Sequence, residues 1–293
     1  MNRKGIILAG GTGSRLFPIT TVLSKQLLPV YDKPMVYYPL SVLMLAGITH
    51  IAIITTPDDQ YLYKKLLGDG SKWGLIFEYL VQERPEGIAQ AYILAEKFLD
   101  GAPSALILGD NIFFGHGLPN LLNDASIKEK GGTIFGYHVN DPERYGIIEF
   151  DTMSGVTSLE EKPKIPKSKY AITGLYFLDD KAPSFAKRVK KSNRGEYEMI
   201  DVLNYYRSEG NLDAIKMSRG YAWFDTGTCS SLLDASNYVR TLTERQGLQV
   251  GSPDEVAFQK GLIGGRQLLQ LSKQHGSNQY SQYLEILSKT NDP

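Results

Sequence analysis

Two stretches of this chain have the residue types and spacing that phosphate chemistry needs. In "LAGGTGSRL", Leu8 to Leu16, Gly10, Gly11 and Gly13 come straight after an apolar run, and Arg15 follows them. Glycines at that point let backbone N–H groups approach a triphosphate closely, and a following helix would add its positive end. Arg15 stands where a guanidinium can grip phosphoryl oxygens in bidentate fashion, and ten residues on "SKQLLPV" adds Lys25, a mobile point charge. The loop is neither of the two commonest phosphate loops. A Walker loop needs Gly-Lys-Ser/Thr, and a dinucleotide fingerprint needs a third glycine where Leu16 stands. A sharp strand-to-helix turn flanked by two solvated cations is the other reading of the same residues.

The second stretch is "LILGDN", Leu106 to Asn111. A carboxylate at the end of a buried strand is costly unless something positive pairs with it. Mg²⁺ on a nucleotide's phosphates is a natural partner for Asp110, since magnesium takes one or two protein carboxylates and leaves its other positions to phosphate and water. Taken alone, Asp110 equally suits a helix cap. Asp225 in "WFDTG" occupies a similar context, and one metal between two strand-end aspartates explains both. "LEEKP" places Glu160, Glu161 and Lys162 at a strand end, where alternation puts Glu161 opposite the other two unless the strand stops there. Such a cluster also reads as a solvated edge. His50, His116, His138 and His275 have no metal-ligand spacing, and the single cysteine, Cys229, has no nearby histidine.

The bulk numbers narrow the partners. Lys plus Arg and Asp plus Glu are equal at 32 each, so no overall field draws the chain to nucleic acid or an anionic membrane. Any phosphate must be held locally. One cysteine among 293 residues leaves no intrachain disulfide and suits a reducing cytosol. The greasiest segment, from Met35 to Pro57, is interrupted by Pro39, Gly47, Thr49 and His50, and no signal-peptide core follows the basic start. A cytoplasmic location without membrane contact is the expectation.

Apolar runs at Lys4 to Leu8, His50 to Thr55, Leu75 to Val81 and Ala105 to Gly109 read as strands, with helical periodicity between them. That alternation predicts an α/β fold, a doubly wound, mainly parallel sheet with helices on both faces. Ligands then bind beyond the carboxyl ends of the strands, where the glycine loop and Asp110 fall. From Thr133 the pattern changes to "TIFGYHV", "GIIEF", "GVTSLEEKP" and "ITGLYFL", strands that extend one edge of the core. A helix ending at Gly210 and the strand "LDAIKM" follow. The chain from Ser230 to Pro293 is expected to be mostly helical.

Together, "ILAGGTGSRLFPITTVLSKQLLPVYDKPMVYYPL", "LGDNIFFGH", "HVNDPERYGIIEF", "LEEKPKIPKS", "AITGLYF" and "RGYAWFDTGT" resemble the bacterial glucose-1-phosphate thymidylyltransferases of the sugar nucleotidyltransferase superfamily. The resemblance covers nearly the whole chain. It implies a Rossmann-like catalytic part over 1–229, including an added sugar-binding sheet region, and a packed helical part over 230–293 with oligomer and regulatory contacts. The implied reaction is transfer of a thymidylyl group from dTTP to α-D-glucose 1-phosphate, with pyrophosphate released, on the route to dTDP-L-rhamnose and other deoxysugars.

By matching positions, Leu8, Gly10, Gly11, Gly13, Arg15 and Asp110 would hold the nucleotide, and Gln26, Gln82 and Gly87 would meet the thymine. Lys25 would sit near the reacting phosphorus, and Asp110 and Asp225 would hold Mg²⁺, the one implied cofactor. Asn111, Tyr145, Gly146, Glu161, Thr173 and Trp223 would line the sugar side, with Lys162 and Arg194 on its phosphate. Arg15, Lys25 and Lys162 are the implied catalytic cations.

In such relatives the C-terminal helices form a second nucleotide site and support a homotetramer. Gly115, His116, Arg219 and Glu255 match that regulatory site, but Gln259 stands where an arginine is often found, which implies weaker feedback inhibition. Ile200 replaces a common threonine. Two further readings are a UTP-using uridylyltransferase of the same superfamily and a non-catalytic sugar-nucleotide sensor. The methyl that separates thymine from uracil is worth only about 1 to 3 kcal/mol.

Overall fold

The computed structural model describes residues 3–290. From the N-terminus, β1 (Lys4–Ala9) leads to a small ribbon of β2 (Pro29–Val30) and β3 (Lys33–Pro34). Then come α1 (Tyr37–Leu45), β4 (His50–Thr55), α2 (Gln60–Leu67), β5 (Ile76–Val81), α3 (Gln90–Leu99) and β6 (Ser104–Leu108). Next are β7 (Asn111–Gly115), α4 (Leu118–Ser126), β8 (Gly132–His138), β9 (Gly146–Phe150), β10 (Val156–Glu161) and β11 (Tyr170–Leu178). The chain continues through α5 (Ala182–Arg188), α6 (Met199–Ser208), β12 (Leu212–Met217) and β13 (Tyr221–Asp225). It finishes in α7 (Cys229–Gln246), α8 (Pro253–Gln259), α9 (Gly265–Gln274) and α10 (Gln279–Leu287).

The predicted doubly wound sheet is present. Strands β6, β1, β4 and β5 lie side by side, all parallel. Period-two alternation sends Ile7, Ile51, Ile53 and Ile107 into one apolar cluster and Ile6, Ala52, Ile54 and Leu106 into the other. The first cluster is closed by α1, α2, α4 and the last three helices, the second by α3, α5 and α6. Val256, Phe258, Leu268 and Leu284 belong to the same cluster as Ile7 and Leu40, so the C-terminal helices share the core of the sheet. Among the described residues no helix is long and apolar enough to cross a membrane.

The edge expected beyond Thr133 is a direct continuation of this sheet. β11 runs antiparallel to β6 through Leu175–Leu178 and carries β8 on its other side, with β12 parallel to β8. Its first residues, Tyr170 and Ala171, pair with β9, which pairs with β10. A separate two-stranded ribbon pairs β7 with β13, setting Asn111 opposite Asp225 and Gly115 opposite Tyr221.

One expectation about the glycine loop fails. The segment after Gly13 is a single 3-10 turn, Ser14–Leu16, with no helix behind it. Pro18 forces the preceding residue out of helical backbone, and Phe17 is extended at ψ 141°. The loop therefore offers backbone N–H groups and Arg15, with no helix dipole.

Candidate active site

The loop and the two aspartates converge at the carboxyl ends of β1 and β6. Asp110 follows β6 by two residues, and its carbonyl accepts from the Thr226 backbone N–H (3.2 Å) and hydroxyl (2.7 Å). That contact clamps the end of β13 to the end of β6, while the β7–β13 register places Asp225 beside Asn111. Both carboxylates line the same hollow.

Their electrostatics differ. Burial pushes the Asp110 carboxyl up, but the Lys25 ammonium paired with it and a hydrogen bond from Asn111 outweigh burial and hold it below the usual range. Asp225 is pushed up, first by burial and then by the charge of Asp110. Among the described residues no side chain or backbone N–H donates to its carboxylate. Two adjacent carboxylates, one without a donor and pushed up by the other's charge, are hard oxygen ligands that fit a Mg²⁺ ion.

Two adjoining hollows share Arg15, Ile88, Leu108, Asp110 and Glu196 as a common wall. The first, of about 370 Å³, is lined by Leu8, Gly11, Gly13, Lys25, Gln26, Gln82 and Gly87. Lys25 is only 6% exposed although charged, because Asp110 compensates it. Gly10 lies against the Gln82 side chain, where any Cβ would collide with Gln82 Oε1. Arg15 lies flat against Gly227, where a Cβ would come within 2.8 Å of the guanidinium. The glycine of "FDTG" thus makes room for the loop's arginine.

The second hollow, of about 200 Å³, is lined by Asn111, Tyr145, Gly146, Glu161, Lys162, Arg194, Trp223 and Asp225. Glu161 and Lys162 reach it together because β10 ends at Glu161 and Lys162 takes a left-handed backbone at φ +44°, which cancels alternation. The Lys162 N–H donates to the Tyr145 carbonyl at 3.0 Å, tying β10's end to β9's start. Burial pushes Glu161 up even though Lys162 and Arg194 oppose the shift.

Arg194 is held by Glu161 (3.1 Å), Glu196 (3.3 Å) and Glu198 (2.8 Å), and the Glu198 contacts raise its already high pKa. Asn111 lines the hollow with both ends of its amide engaged. Its Oδ1 accepts from Trp223 Nε1 (2.6 Å) and the Gly174 N–H (3.1 Å), and its Nδ2 donates to Asp110 (3.0 Å). It therefore holds the wall together.

Thr173 does not join the site. It is fully buried within β11, and its neighbours Ile172 and Gly174 line the hollow in its place. Sequence reasoning missed Glu198, which the spacing Arg194-x-x-x-Glu198 could have signalled, and Arg144 and Tyr176, which also line the second hollow. Among the regulatory candidates, Gly115 and Glu255 line a small cavity of about 170 Å³ with Tyr38, Leu45 and Gln259. Gln259 Nε2 donates to Glu255 at 2.8 Å. His116 and Arg219 are exposed and sit at the same end of the β7–β13 ribbon. A larger cavity, about 850 Å³ between the β2–β3 ribbon and the C-terminal helices, contains none of the predicted residues.

The comparisons agree with this geometry. A family model described as nucleotidyl transferase matches residues 4–241. A glucose-1-phosphate thymidylyltransferase of Xanthomonas campestris pv. campestris is 55% identical over 98% of this chain and 97% of its own length. One from Mycobacterium tuberculosis is 50% identical over 98% and 99%. Among solved structures, a Bacillus anthracis protein in complex with a sucrose superposes with TM-score 0.75 at 42% identity, covering 81% of this chain and 95% of that one. A UDP-glucose pyrophosphorylase complexed with UDP-glucose superposes with TM-score 0.72 at 25% identity, covering 82% and 99%. Fold, converging carboxylates and near-full-length identity agree: the chain is an enzyme that belongs to the nucleotidyl transferase family, among the glucose-1-phosphate thymidylyltransferases.

Proposed function

We propose that this enzyme transfers a thymidylyl group from dTTP to α-D-glucose 1-phosphate, giving dTDP-glucose and pyrophosphate, in deoxysugar biosynthesis in the cytoplasm. One observation carries the reading: two hollows of different lining share a wall made of Asp110 and Arg15. The glycine-loop hollow suits the nucleotide. The hollow with Tyr145, Glu161 and Trp223 suits a sugar, with carboxylate and aromatic groups for hydroxyls and ring faces.

The chemistry follows from charge. Glucose 1-phosphate brings its own anionic oxygen as nucleophile, so no general base is needed, and among the described residues no histidine lines either hollow. The obstacle is one anion approaching another. Arg15 and Lys25 neutralise the nucleotide side, and Lys162 and Arg194 the attacker's side, aligning it opposite pyrophosphate for in-line displacement. Asp110 and Asp225 would hold Mg²⁺, which when bound supplies further neutralisation of the triphosphate. The cavity at Gly115, Glu255 and Gln259 would be a second nucleotide site in a homotetramer, with feedback weakened by the missing arginine.

The test is pyrophosphate release with glucose 1-phosphate and Mg²⁺, comparing dTTP, UTP, CTP, ATP and GTP. Highest turnover with dTTP is expected. Preference for UTP would make the enzyme a uridylyltransferase, and inertness toward every nucleotide would overturn the reaction.

A further inference from the structure

From Gln82 on the wall of the nucleotide hollow runs a chain of amide contacts whose orientation is not free. Gln82, 2% exposed just beyond β5, donates from Nε2 to Gln90 Oε1 at 2.6 Å. Gln90 Oε1 also accepts from the Glu86 backbone N–H at 3.0 Å, and Gln90 Nε2 donates to the Glu86 carboxylate at 3.3 Å. A backbone N–H can only donate and a carboxylate can only accept, so these two contacts fix which end of the Gln90 amide is oxygen. The group on Gln82 that faces this oxygen must then be NH₂. Its own oxygen is turned the other way, against Gly10, on a residue that lines the hollow. Glu86 is itself anchored, by Lys191 Nζ at 2.5 Å and by the Tyr197 N–H on its carbonyl at 2.7 Å.

Gln26 across the hollow has no such lock. Its Oε1 meets Ser24 Oγ (2.9 Å) and Tyr63 OH (3.3 Å), hydroxyls that can donate or accept. Gln82 is therefore the fixed acceptor. A carbonyl oxygen covered by a bound base and left unpaired is costly, so a base that brings an N–H to it is favoured and one that brings a lone pair is repelled. Thymine and uracil carry N–H at N3, whereas cytosine carries a lone pair there.

Resting on the nucleotidyl-transfer reading above, we propose that Gln90, held by Glu86, is a positioning residue for base choice. It fixes the Gln82 amide as an acceptor and thereby selects imide pyrimidines against cytosine.

The experiment measures steady-state pyrophosphate release with dTTP, UTP and dCTP for wild type and Gln90→Leu, alongside calorimetric affinities for dTDP and dCDP. In Gln90→Leu the Gln82 amide can flip, so dTTP-over-dCTP discrimination in kcat/KM should fall by ~10-fold or more. The fall should come mainly through KM for dTTP, with kcat little changed. The dTTP:UTP ratio should stay constant, since both bases are imides. The exchange Glu86→Gln with Gln90→Glu keeps an oxygen opposite Gln82 and should return discrimination to near the wild-type value.

If Gln90→Leu weakens thymine and cytosine nucleotides alike, or if the exchanged pair fails to restore the ratio, the role is merely structural and the inference is overturned. The diphosphate affinities decide base choice without turnover. An enzyme that binds dTDP over dCDP yet releases no pyrophosphate would therefore sink the transfer reading and leave the amide lock standing.

Discussion

Two carboxylates, the half-buried Asp225 and the buried Asp254, show how the same group serves different ends. Asp254 in α8 is 1% exposed and fully provided for: it accepts from Trp73 Nε1 (3.1 Å) and Tyr280 OH (2.6 Å), with His275 Nε2 at 3.5 Å. Burial pushes it up, but these donors and the histidine outweigh burial and hold it below the usual carboxylate range. Asp225 has no such donors and faces a second carboxylate, and it is pushed up. A buried carboxylate whose donors match its lone pairs ties helices together. One opposed by its own kind has its charge unrelieved, which is what the Mg²⁺ site proposed above would use.

The contrast is sharpened first at Asp225. Asp225→Asn keeps the shape and removes the repulsion with Asp110, so turnover should fall by ~10²-fold or more while the melting temperature holds or rises. A variant that keeps full turnover, or that unfolds, would erase the distinction between the two aspartates. Lys162→Ala should fold normally and lose roughly 10²-fold in turnover, because only an aligned cation is gone. Wild-type rates in the purified variant would remove Lys162 from the mechanism.

Asp254→Asn should do the reverse. It turns one of the two acceptor oxygens into a donor, facing either Trp73 or Tyr280, costing roughly 1–3 kcal/mol of stability by denaturant unfolding, with turnover per folded molecule retained. The pH dependence follows the same group. A folded pKa below the unfolded value of about 3.9 gives stability that is present above that value and lost as pH falls through the folded pKa. Wild type should therefore lose more stability than Asp254→Asn on acidification below about pH 4, and parallel pH curves would refute the assignment. Smallest is Lys162→Gly, which relieves the left-handed backbone and should stabilise by a few tenths to about 1 kcal/mol while abolishing the cation. A less stable variant would mean that the glycine's added freedom in the unfolded chain outweighs the strain relieved at φ +44°.

What could be read from the chain follows the range of each interaction. The glycine loop, Arg15 and Asp110 were legible because strand ends in a parallel sheet face one crevice, a rule that needs only the strand pattern. The pairing of β7 with β13 was not, because its partners stand more than a hundred residues apart and neither run announces a mate. At Glu161 the strand stops, the alternative that alternation left open, while the left-handed backbone of Lys162 had no signal in the sequence. The helix expected after Gly13 is cut short by Pro18, a local signal present in the sequence. Thr173 was placed on the sugar side by motif position, and the path of β11 turned it inward. Gln90 carries no motif, since its role comes only from what Glu86 does to it.

The shared core of sheet and C-terminal helices has one last consequence. The family match stops at residue 241, yet the wall of β1 and α1 is roofed by side chains from beyond it. A chain trimmed at that limit would keep its reacting groups but lose the cover over one flank of its sheet, exposing a greasy face to water. In this protein the side chains beyond residue 241 complete the apolar cluster that covers one face of the sheet.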